Sequence, residues 1–283
     1  MKKNIIIVRG GGDIATGTIY KLHQSGYPVL VTEIANPSAI RRLVAFSEAV
    51  YEKSYTVEGV TCYFAENLPQ AYELMEHGKI ALMTDPDGAV IREVKPAAVV
   101  DGILAKKNLG TTMDMAPFTV ALGPGFTAGV DVHAVVETMR GHKLGRIIYE
   151  GNAIPNTGIP GAIAGVAKER VIHAECAGVL YGEKKISDYV QKDEVIAYIY
   201  PDAQAKDACG QRGKDGAFAV KATISGILRG LIRDGYPVTK GFKIADIDPR
   251  ESEYENCFTI SDKARCIAGG VLEALLHAGI LPE

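Results

Sequence analysis

Residues 4–17, NIIIVRGGGDIATG, carry the strongest structural signal in the chain. A β-branched run over residues 4–8 leads into three glycines, and in the helical pattern that follows, Ala15, Ile19 and Leu22 share one face. A strand, a glycine turn and a helix in this order are typical of the first unit of a doubly wound parallel sheet. Because strands and helices continue to alternate, the sequence predicts such a sheet for the whole first domain.

The glycines follow the order Gly10-x-Gly12-x-x-Ala15, a variant of the dinucleotide-binding fingerprint. Gly10 allows a tight turn, Gly12 lets the backbone approach a phosphate, and the small Ala15 permits close packing of helix and strand. Glu33 ends the second predicted strand, 23 residues after Gly10, where an acid that binds a ribose hydroxyl is expected. The predicted cofactor-binding residues are therefore Gly10, Gly11, Gly12, Asp13 and Glu33. The alternative is a tight turn that binds no ligand.

Other polar or glycine-rich segments also follow predicted strands, so we expect them at the same edge of the sheet. They are Asp85-Pro86-Asp87, the segment from Asp101 to Asn108, and the segment from Leu122 to Phe126. Arg9, just before the glycines, and Arg41, at the start of the helix predicted beyond Glu33, are candidates for bidentate phosphate contacts. The predicted cofactor site therefore has six further residues, which are Arg9, Arg41, Lys106, Asn108, Gly123 and Gly125. For the lysine, a solvated loop is an equally good interpretation.

Residues 177–201 and 225–249 are similar to each other at a constant offset of 48 residues, with Gly178 matching Gly226. The match indicates an internal duplication. Each copy is typical of short strands around turns, and the second resembles the biotinyl/lipoyl-type sandwich. The place of the modified lysine in those carriers holds the polar insert 202–215, without a Met-Lys-Met-like motif. We therefore predict the sandwich architecture without biotin or lipoate attachment.

An amphipathic stripe predicts a C-terminal helix that begins after Ser261 and ends near Gly279. The predicted fold class is α/β: a Rossmann-like doubly wound parallel sheet domain, then a barrel-sandwich-hybrid-like β domain with a duplicated half-motif, then a C-terminal helix. The predicted boundaries are residues 1–168, 169–251 and 252–283. The last segment is expected to pack back on the first domain.

The middle segment, residues 122–161, is dense in glycine and proline, which is typical of loops at a site. Its acid, base or ligand candidates are Asp131, His133, Glu137 and His142, of which we assign Asp131 and His133 as catalytic. His133 and Glu137 are four residues apart and would share one face of a helix if this part is helical. Because two potential ligands do not make a metal site, we predict no bound metal.

Composition argues against several classes of protein. The chain has 283 residues with 31 Lys plus Arg against 34 Asp plus Glu, so nucleic acid is not an expected partner. It has neither a membrane-length apolar run nor the apolar region of a signal peptide, which predicts a cytoplasmic protein. The five cysteines are scattered without a CxxC pair, against structural zinc and disulfides. Cys209, in a polar loop, is the candidate for carrying a chalcogen, although an incidental loop cysteine is the favoured interpretation.

Several segments together give the chain a family resemblance. They are RGGGDIATG (9–17), IRRLVAFSEAVY (40–51), DGILAKKNLGTT (101–112), LGPGFTAGVDVHAVVETMRGHKLGR (122–146), NTGIPG (156–161) and SDKARCIAGG (261–270). In combination they resemble the YqeB family. The resemblance implies an accessory protein of a selenium-dependent molybdenum hydroxylase system, similar in role to XdhC-type factors that handle molybdenum cofactor.

The resemblance implies a part in installing selenium in that cofactor or in delivering it, with a client molybdenum hydroxylase and other maturation proteins as partners. A molybdopterin-type cofactor is anionic and suits a glycine turn at a helix amino end. Asp131 and His133 are then expected to approach its reactive end. Two alternatives stay open: an NAD-dependent oxidoreductase that uses the same turn and Glu33, and a non-catalytic scaffold. Whether the chain is an enzyme or a homo-oligomer also stays open.

Overall fold

The computed structural model describes residues 4–156, 158, 165, 168–201 and 216–282. The density of contacts divides the chain into two units. The first comprises Met1–Pro37, Val44–Thr157 and Ile260–Glu283, and the second comprises Ser38–Leu43 and Gly158–Thr259. The domain prediction treats every domain as contiguous, whereas this division assigns the C-terminal segment to the first unit and a six-residue segment near the start of the chain to the second.

A nine-stranded mixed sheet organises the first unit. The strands of this unit are β1 (Ile6–Arg9), β2 (Val29–Glu33), β3 (Ser54–Val57), β4 (Val60–Phe64), β5 (Ile80–Thr84), β6 (Ala98–Asp101), β7 (Phe118–Leu122), β8 (Thr127–Ala128), β9 (Ala134–Val136), β10 (Ile147–Ile148) and β11 (Gly151–Asn152). The sheet has the order β10-β9-β7-β6-β1-β2-β5-β4-β3, while β8 and β11 pair separately. Its inner strands run parallel, and β3 and β10 are antiparallel at the edges.

The α-helices that the structure describes all belong to the first unit. They are α1 (Asp13–Gln24), α2 (Ala49–Glu52), α3 (Leu68–Glu76), α4 (Val90–Val94) and α5 (Asp262–His277). As predicted, Ser261 caps α5, accepting a hydrogen bond from Ala264 N at 3.1 Å. Helix α5 packs closely on α1, because a Cβ on Gly17 would lie 2.8 Å from the Ala264 Cβ. Beyond the other end of both helices, Tyr27 Oη donates to Ile280 O at 2.6 Å. The two helices therefore run in the same direction, with their amino ends side by side.

Two four-stranded antiparallel sheets form the second unit. Their strands are β12 (Val171–His173), β13 (Gly178–Gly182), β14 (Tyr189–Val190), β15 (Val195–Tyr200), β16 (Phe218–Lys221), β17 (Gly226–Leu231), β18 (Tyr236–Val238) and β19 (Lys243–Asp248). The orders are β12-β19-β17-β14 and β16-β15-β13-β18, so each sheet contains strands of both repeats. Gly178 and Gly226 hold equivalent places, since a Cβ there would clash with the carbonyl oxygens of Tyr200 and Asp248.

The segment Ser38–Leu43 leaves the first unit and pairs with the second. Leu231 N donates to Ile40 O at 3.0 Å, and Arg42 Nε donates to Leu231 O at 3.0 Å. A Cβ on Gly230 would lie 2.8 Å from Ile40 Cγ2, so the segment lies close against β17. From its sequence alone, the stretch beginning at residues 36–38 indicates a helix with Ile40, Leu43 and Val44 on one side. The structure has instead only a short 3-10 turn, Arg42–Val44, and Ile40 and Leu43 pack against the core of the second unit.

The predicted fold class is also wrong. A doubly wound sheet has a helix in each crossover between parallel strands, but the connections from β6 to β7 and from β7 to β9 contain no α-helix. Antiparallel strands occupy both edges, and α5 covers α1 from the far end of the chain. The first unit is a large, mostly parallel mixed α/β sheet rather than a Rossmann-like domain. Among the described helices, none is long and apolar enough to cross a membrane.

Candidate functional site

The turn after β1 has the geometry that the glycine pattern predicts. Gly10 has a φ of +88°, its N–H donates to Thr32 O at 2.8 Å, and a Cβ there would lie 3.1 Å from Ile103 Cα. Gly12 is the N-cap residue of α1, and no atom lies within 4 Å of where its Cβ would be. Gly10 is therefore required by the turn and the neighbouring chain, while Gly12 leaves open space at the amino end of α1. Asp13 is the first residue of that helix.

Glu33 lies at the end of β2 beside this turn. Its Oε1 accepts a hydrogen bond from Gly11 N at 2.9 Å, and its Oε2 accepts one from Ile34 N at 2.6 Å. Burial raises the pKa of the Glu33 carboxyl, and these two backbone bonds act in the opposite direction. The acid predicted to bind a ribose hydroxyl is thus already bonded through both oxygens to the backbone.

Arg9 lies behind the turn in a buried polar network. Its guanidinium donates to Thr111 Oγ1 at 2.5 Å and to Pro86 O at 3.2 Å, and only 2% of the residue is exposed. The Thr111 hydroxyl in turn donates to Asp101 Oδ2 at 2.5 Å. Burial raises the pKa of Asp101, while the bonds from Thr111 and Ile103 and the charge of Arg9 lower it. The guanidinium of Arg9, which the sequence predicts to bind phosphate, therefore already donates hydrogen bonds to groups of the protein.

Glycines bring together the loops that follow β6, β7 and β9. Gly123 and Gly125 both have positive φ angles. A Cβ on Gly123 would lie 2.5 Å from Thr138 Oγ1, and one on Gly125 would lie 2.6 Å from Lys107 N. These predicted residues form close approaches between loops at the carboxyl edge of the sheet, and they place the exposed Lys106 beside the loop of Gly125.

Asn108 shapes the loop after β6 rather than offering a free amide. Its Oδ1 accepts from Gly110 N and Thr111 N, both at 2.8 Å, and its Nδ2 donates to Thr111 O at 2.8 Å. All three bonds stay within four residues of chain. The side chain therefore holds Thr111 in position for the Arg9 network.

Lys263, in the first turn of α5, is a site residue that the sequence analysis does not identify. It is half-buried, and burial lowers the pKa of its amine, as do the charges of Arg140 and Lys106, whereas Asp13 and Glu137 raise it. Among the described residues, no carboxylate forms an ion pair with Lys263. Its only signals in the sequence are its place two residues after the helix cap and within SDKARCIAGG.

The charges of Arg140 and Glu137 both act on Lys263. Of these two residues, the sequence analysis identifies only Glu137 as a candidate for the site. Arg140 forms a bidentate bridge to Asp262, with N···O distances of 2.8 and 3.1 Å. Glu137 is 2% exposed and accepts from Met139 N at 2.7 Å and from Ile154 N at 2.8 Å. The charges near Lys263 are therefore mixed: Arg140 and Lys106 lower its pKa, Asp13 and Glu137 raise it, and Arg140 is itself paired with Asp262.

Asp131 and His133 do not lie with these residues. Asp131 Oδ2 accepts from Thr127 N at 2.7 Å, and His133 Nδ1 accepts from Thr119 N at 3.0 Å. The register of the sheet aligns His133 with Thr119 and Ile7, three residues before Gly10 and several strands away. His133 and Glu137 flank β9, so this part is a strand and the condition under which they would share a helix face is not met. The two assigned catalytic residues stabilise a turn and a strand junction instead.

The remaining predicted residues lie elsewhere. Arg41 belongs to the second unit, where its guanidinium donates to Asn256 O at 2.9 Å and Thr259 O at 3.2 Å. Cys209 lies outside the described residues. Of the cysteines that are described, Cys62, Cys176 and Cys257 are buried and Cys266 is exposed. Within the described ranges, no group of three His, Cys, Asp or Glu side chains is placed to hold a metal ion.

Solved structures give only distant matches. A succinylglutamate desuccinylase from Silicibacter has a TM-score of 0.26 at 12% identity, over 87% of this chain and 84% of that one. An aspartoacylase family protein from Mesorhizobium loti has a TM-score of 0.29 at 10% identity, over 88% and 86%. The ectoine utilization protein EutE from Ruegeria pomeroyi has a TM-score of 0.25 at 12% identity, over 87% of this chain and 58% of that one. These are not the predicted combination of Rossmann-like and barrel-sandwich domains, and scores this low carry no argument about function.

Sequence comparison gives a close match instead, although no family model matches the chain. The chain is 47% identical over 279 residues to "Uncharacterized protein YqeB" of Escherichia coli (strain K12). The match covers 98% of this chain and 48% of that protein, so the chain spans about half the length of the curated relative it matches. The resemblance found in the sequence is confirmed, and the chain belongs to the YqeB family.

Proposed function

We propose that the carboxyl edge of the nine-stranded sheet binds a phosphate-bearing cofactor of the molybdopterin type, and that the chain acts in the maturation of selenium-dependent molybdenum hydroxylases. The observation that carries this proposal is the group of three cations, Lys106, Arg140 and Lys263, near the adjoining amino ends of α1 and α5. The family resemblance supplies the class of cofactor, and the site supplies the reason for an anion.

Two helix amino ends and Lys263 supply positive charge at this edge, although the carboxylates of Asp13 and Glu137 also lie near Lys263. Unpaired N–H groups and the helix dipole give the amino end of α1 roughly half a positive charge, and α5 contributes in the same direction. Lys263 forms no direct ion pair among the described residues, so a bound anion would add one to the more distant charges of Asp13 and Glu137. The open space beside Gly12 gives a phosphate access to the backbone.

These residues fit the anionic part of a molybdopterin-type cofactor. Lys263 and Lys106 would bind its phosphate, with the first N–H groups of α1 as further donors. When bound, the cofactor would supply the redox and ligand chemistry of its metal. The residues described here supply no metal-binding cluster of their own, so the proposal assigns them to the phosphate end of the cofactor.

The NAD alternative relies on Glu33 as the acid that binds the ribose. Both oxygens of that carboxylate already accept backbone hydrogen bonds, from Gly11 and Ile34. A ribose hydroxyl would have to share these oxygens or displace one bond. The local hydrogen bonding therefore favours a ligand that contacts cations and helix amino ends over one that depends on Glu33.

The test is mass spectrometry of small molecules released when the protein, purified anaerobically from a host that makes molybdenum cofactor, is denatured. We expect a molybdopterin or its dinucleotide from the natural protein and from Lys240→Gln, an exposed lysine of the second unit. Lys263→Gln should lose most of it. Release of NAD or NADP instead, or release of pterin unchanged by Lys263→Gln, would contradict the proposed site.

The accessory role needs a separate measurement. A cofactor-free molybdenum hydroxylase incubated with the loaded protein should gain activity faster than with free cofactor at the same concentration. Protein carrying Lys263→Gln should lose that advantage in proportion to its lost cofactor. Equal rates with loaded protein and free cofactor would reject delivery even where binding is established.

A further inference from the structure

A cavity lies where the β6–β7 connection lacks a helix, and its lining includes none of the three cations Lys106, Arg140 and Lys263. This connection holds only a short 3-10 turn, Met113–Met115, so no helix packs beside α4 there. The space between α4 and residues 112–117 is a cavity of about 730 Å³. Pockets that bind small molecules typically measure about 300–1,000 Å³, so this cavity has a suitable size.

The walls of the cavity combine an apolar surface with charges at the rim. Ile91, Met115 and Pro117 contribute apolar surface. Arg92 and Lys95 line the α4 side, whereas Asp87 and Asp114 contribute carboxylates from the turn before α4 and from the 3-10 turn. Such a combination suits a small molecule with a short apolar body and charged groups.

The opposite charges at this cavity do not neutralise one another. Within the described part of the chain, the side chains of Arg92, Lys95 and Asp87 make no ion pair or hydrogen bond, and the Asp114 carboxylate accepts a bond from the Thr112 hydroxyl. Asp85, in the same turn as Asp87, has a different role, since it accepts from Ala89 N at 3.0 Å and Val90 N at 2.9 Å. Two cations and a carboxylate therefore line the cavity without protein partners.

We propose that this cavity binds a small zwitterion of the amino-acid class, with its carboxylate at Arg92 and Lys95 and its ammonium at Asp87. The apolar wall formed by Ile91 and Met115 accommodates the side chain. Guanidinium and ammonium groups bind carboxylates, while a carboxylate binds an ammonium, so both ends of the ligand gain a charge-assisted contact. This site is separate from the proposed cofactor site and does not depend on it.

The inner part of the cavity adjoins the buried Arg9 network. Gly88 lines the cavity, and a Cβ on it would lie 2.9 Å from Ile91 Cδ1 and 3.5 Å from Arg9 Nε. Thr112, another lining residue, follows Thr111, whose hydroxyl accepts from Arg9. A ligand that fills the cavity should therefore slow hydrogen exchange at the backbone amides around Thr112.

The test is isothermal titration calorimetry of the full chain with L-methionine, L-leucine and L-lysine as zwitterionic probes. N-acetyl-L-methionine and L-methionine methyl ester each lack one of the two backbone charges. We expect at least one of the three amino acids to bind with one-site saturation. Derivatives of methionine that lack one charge should bind at least about tenfold more weakly than methionine, because each loses a charge-assisted contact.

Variants locate the site. Arg92→Gln combined with Lys95→Gln should weaken binding at least about tenfold, and Ala89→Trp, at an exposed lining residue, should block it. Glu93→Gln changes a charge of α4 that is not part of the cavity wall and should leave binding unchanged. The proposal is overturned if none of the three amino acids binds with a dissociation constant below about 10 mM. It is also overturned if N-acetyl-L-methionine binds as well as methionine, or if Ala89→Trp changes neither ligand binding nor hydrogen exchange near Thr112.

Discussion

The two units contain charged clusters that differ in how their charges are paired. In the second unit, Asp246 is 1% exposed and forms ion pairs with both Arg170 and Arg229. At the sheet edge of the first unit, Lys263 lies near Arg140 and Lys106 without a carboxylate partner among the described residues. The first cluster pairs its charges within the fold, whereas under the proposed function a bound anion would pair with Lys263.

The largest effect is expected from Asp246→Ala in the second unit. Removing this carboxylate leaves the largely buried guanidinium groups of Arg170 and Arg229 without their shared partner. Loss of one member of a buried ion pair costs about 3–5 kcal/mol. Urea denaturation, followed by a signal from the second unit, should show a decrease of this size in the free energy of unfolding.

Asp262→Ala is the matched control for Asp246→Ala. Asp262 also pairs with an arginine, but its side chain is 74% exposed. Exposed ion pairs typically contribute about 0–1 kcal/mol. If both variants lose the same stability, burial is not what distinguishes the two clusters, and the comparison fails.

Lys263→Met, unlike Asp246→Ala, should not lower the free energy of unfolding. The substitution removes a half-buried charge that Arg140 and Lys106 repel, and Met has nearly the same helix propensity as Lys. We expect the free energy of unfolding to stay unchanged or to rise by up to about 1 kcal/mol. A decrease of more than about 1 kcal/mol would mean that Lys263 has a structural partner, and the cation group would lose its interpretation as a ligand site.

The sequence predicts the first half of the candidate site well, for local reasons. Gly10 and Gly12 belong to a turn whose backbone conformation depends on a few neighbouring residues. Glu33 ends β2, a strand that a run of apolar residues makes recognisable. Ser261 likewise caps α5 through a bond to a residue three positions away. Such signals need no knowledge of how distant segments pack.

The rest of the site depends on packing between distant segments. The charge of Asp13 acts on Lys263 only because α5, near the end of the chain, packs on α1, near its start. Asp131 and His133 belong to a turn and to the start of a strand, and the sequence pattern does not show which distant residues lie near them. Arg41 is misplaced for a related reason, since its segment packs against the core of the second unit.

The pH dependence of stability should differ between the units. Burial opposes ionisation of Asp248, but the hydrogen bonds and charge of Arg250, with Arg229, lower its pKa. A lowered carboxyl pKa contributes stability that is present above the unfolded value of about 3.9 and is lost as pH falls through the folded pKa. In the first unit, burial raises the pKa values of Glu33 and Asp101, so protonation of these groups favours the folded state as pH falls.

Hydrogen exchange at about pH 7, 5 and 3 separates these contributions. On going from about pH 7 to pH 5, β1 and β6 should keep or gain protection from Glu33 and Asp101, while β19 stays unchanged until the pH falls below about 4. In the Asp248→Asn variant, the protection of β19 from hydrogen exchange should no longer fall when the solution is acidified. Loss of protection in β1 and β6 above pH 5, with β19 stable, would contradict the assignment of the raised carboxyls to the first unit.

The smallest effect on stability is expected from Arg140→Gln, and this variant separates stability from binding. The bridge of Arg140 to Asp262 is exposed on both sides, so its loss should cost no more than about 1 kcal/mol. The same substitution removes one of the two cations near Lys263, and binding of an anionic cofactor should weaken several-fold. An unfolding free energy that is nearly unchanged, together with weaker cofactor retention in the denaturation and mass spectrometry assay, would identify Arg140 as part of the site. A lower free energy of unfolding with unchanged cofactor retention would mean that Arg140 stabilises the fold and does not bind the cofactor.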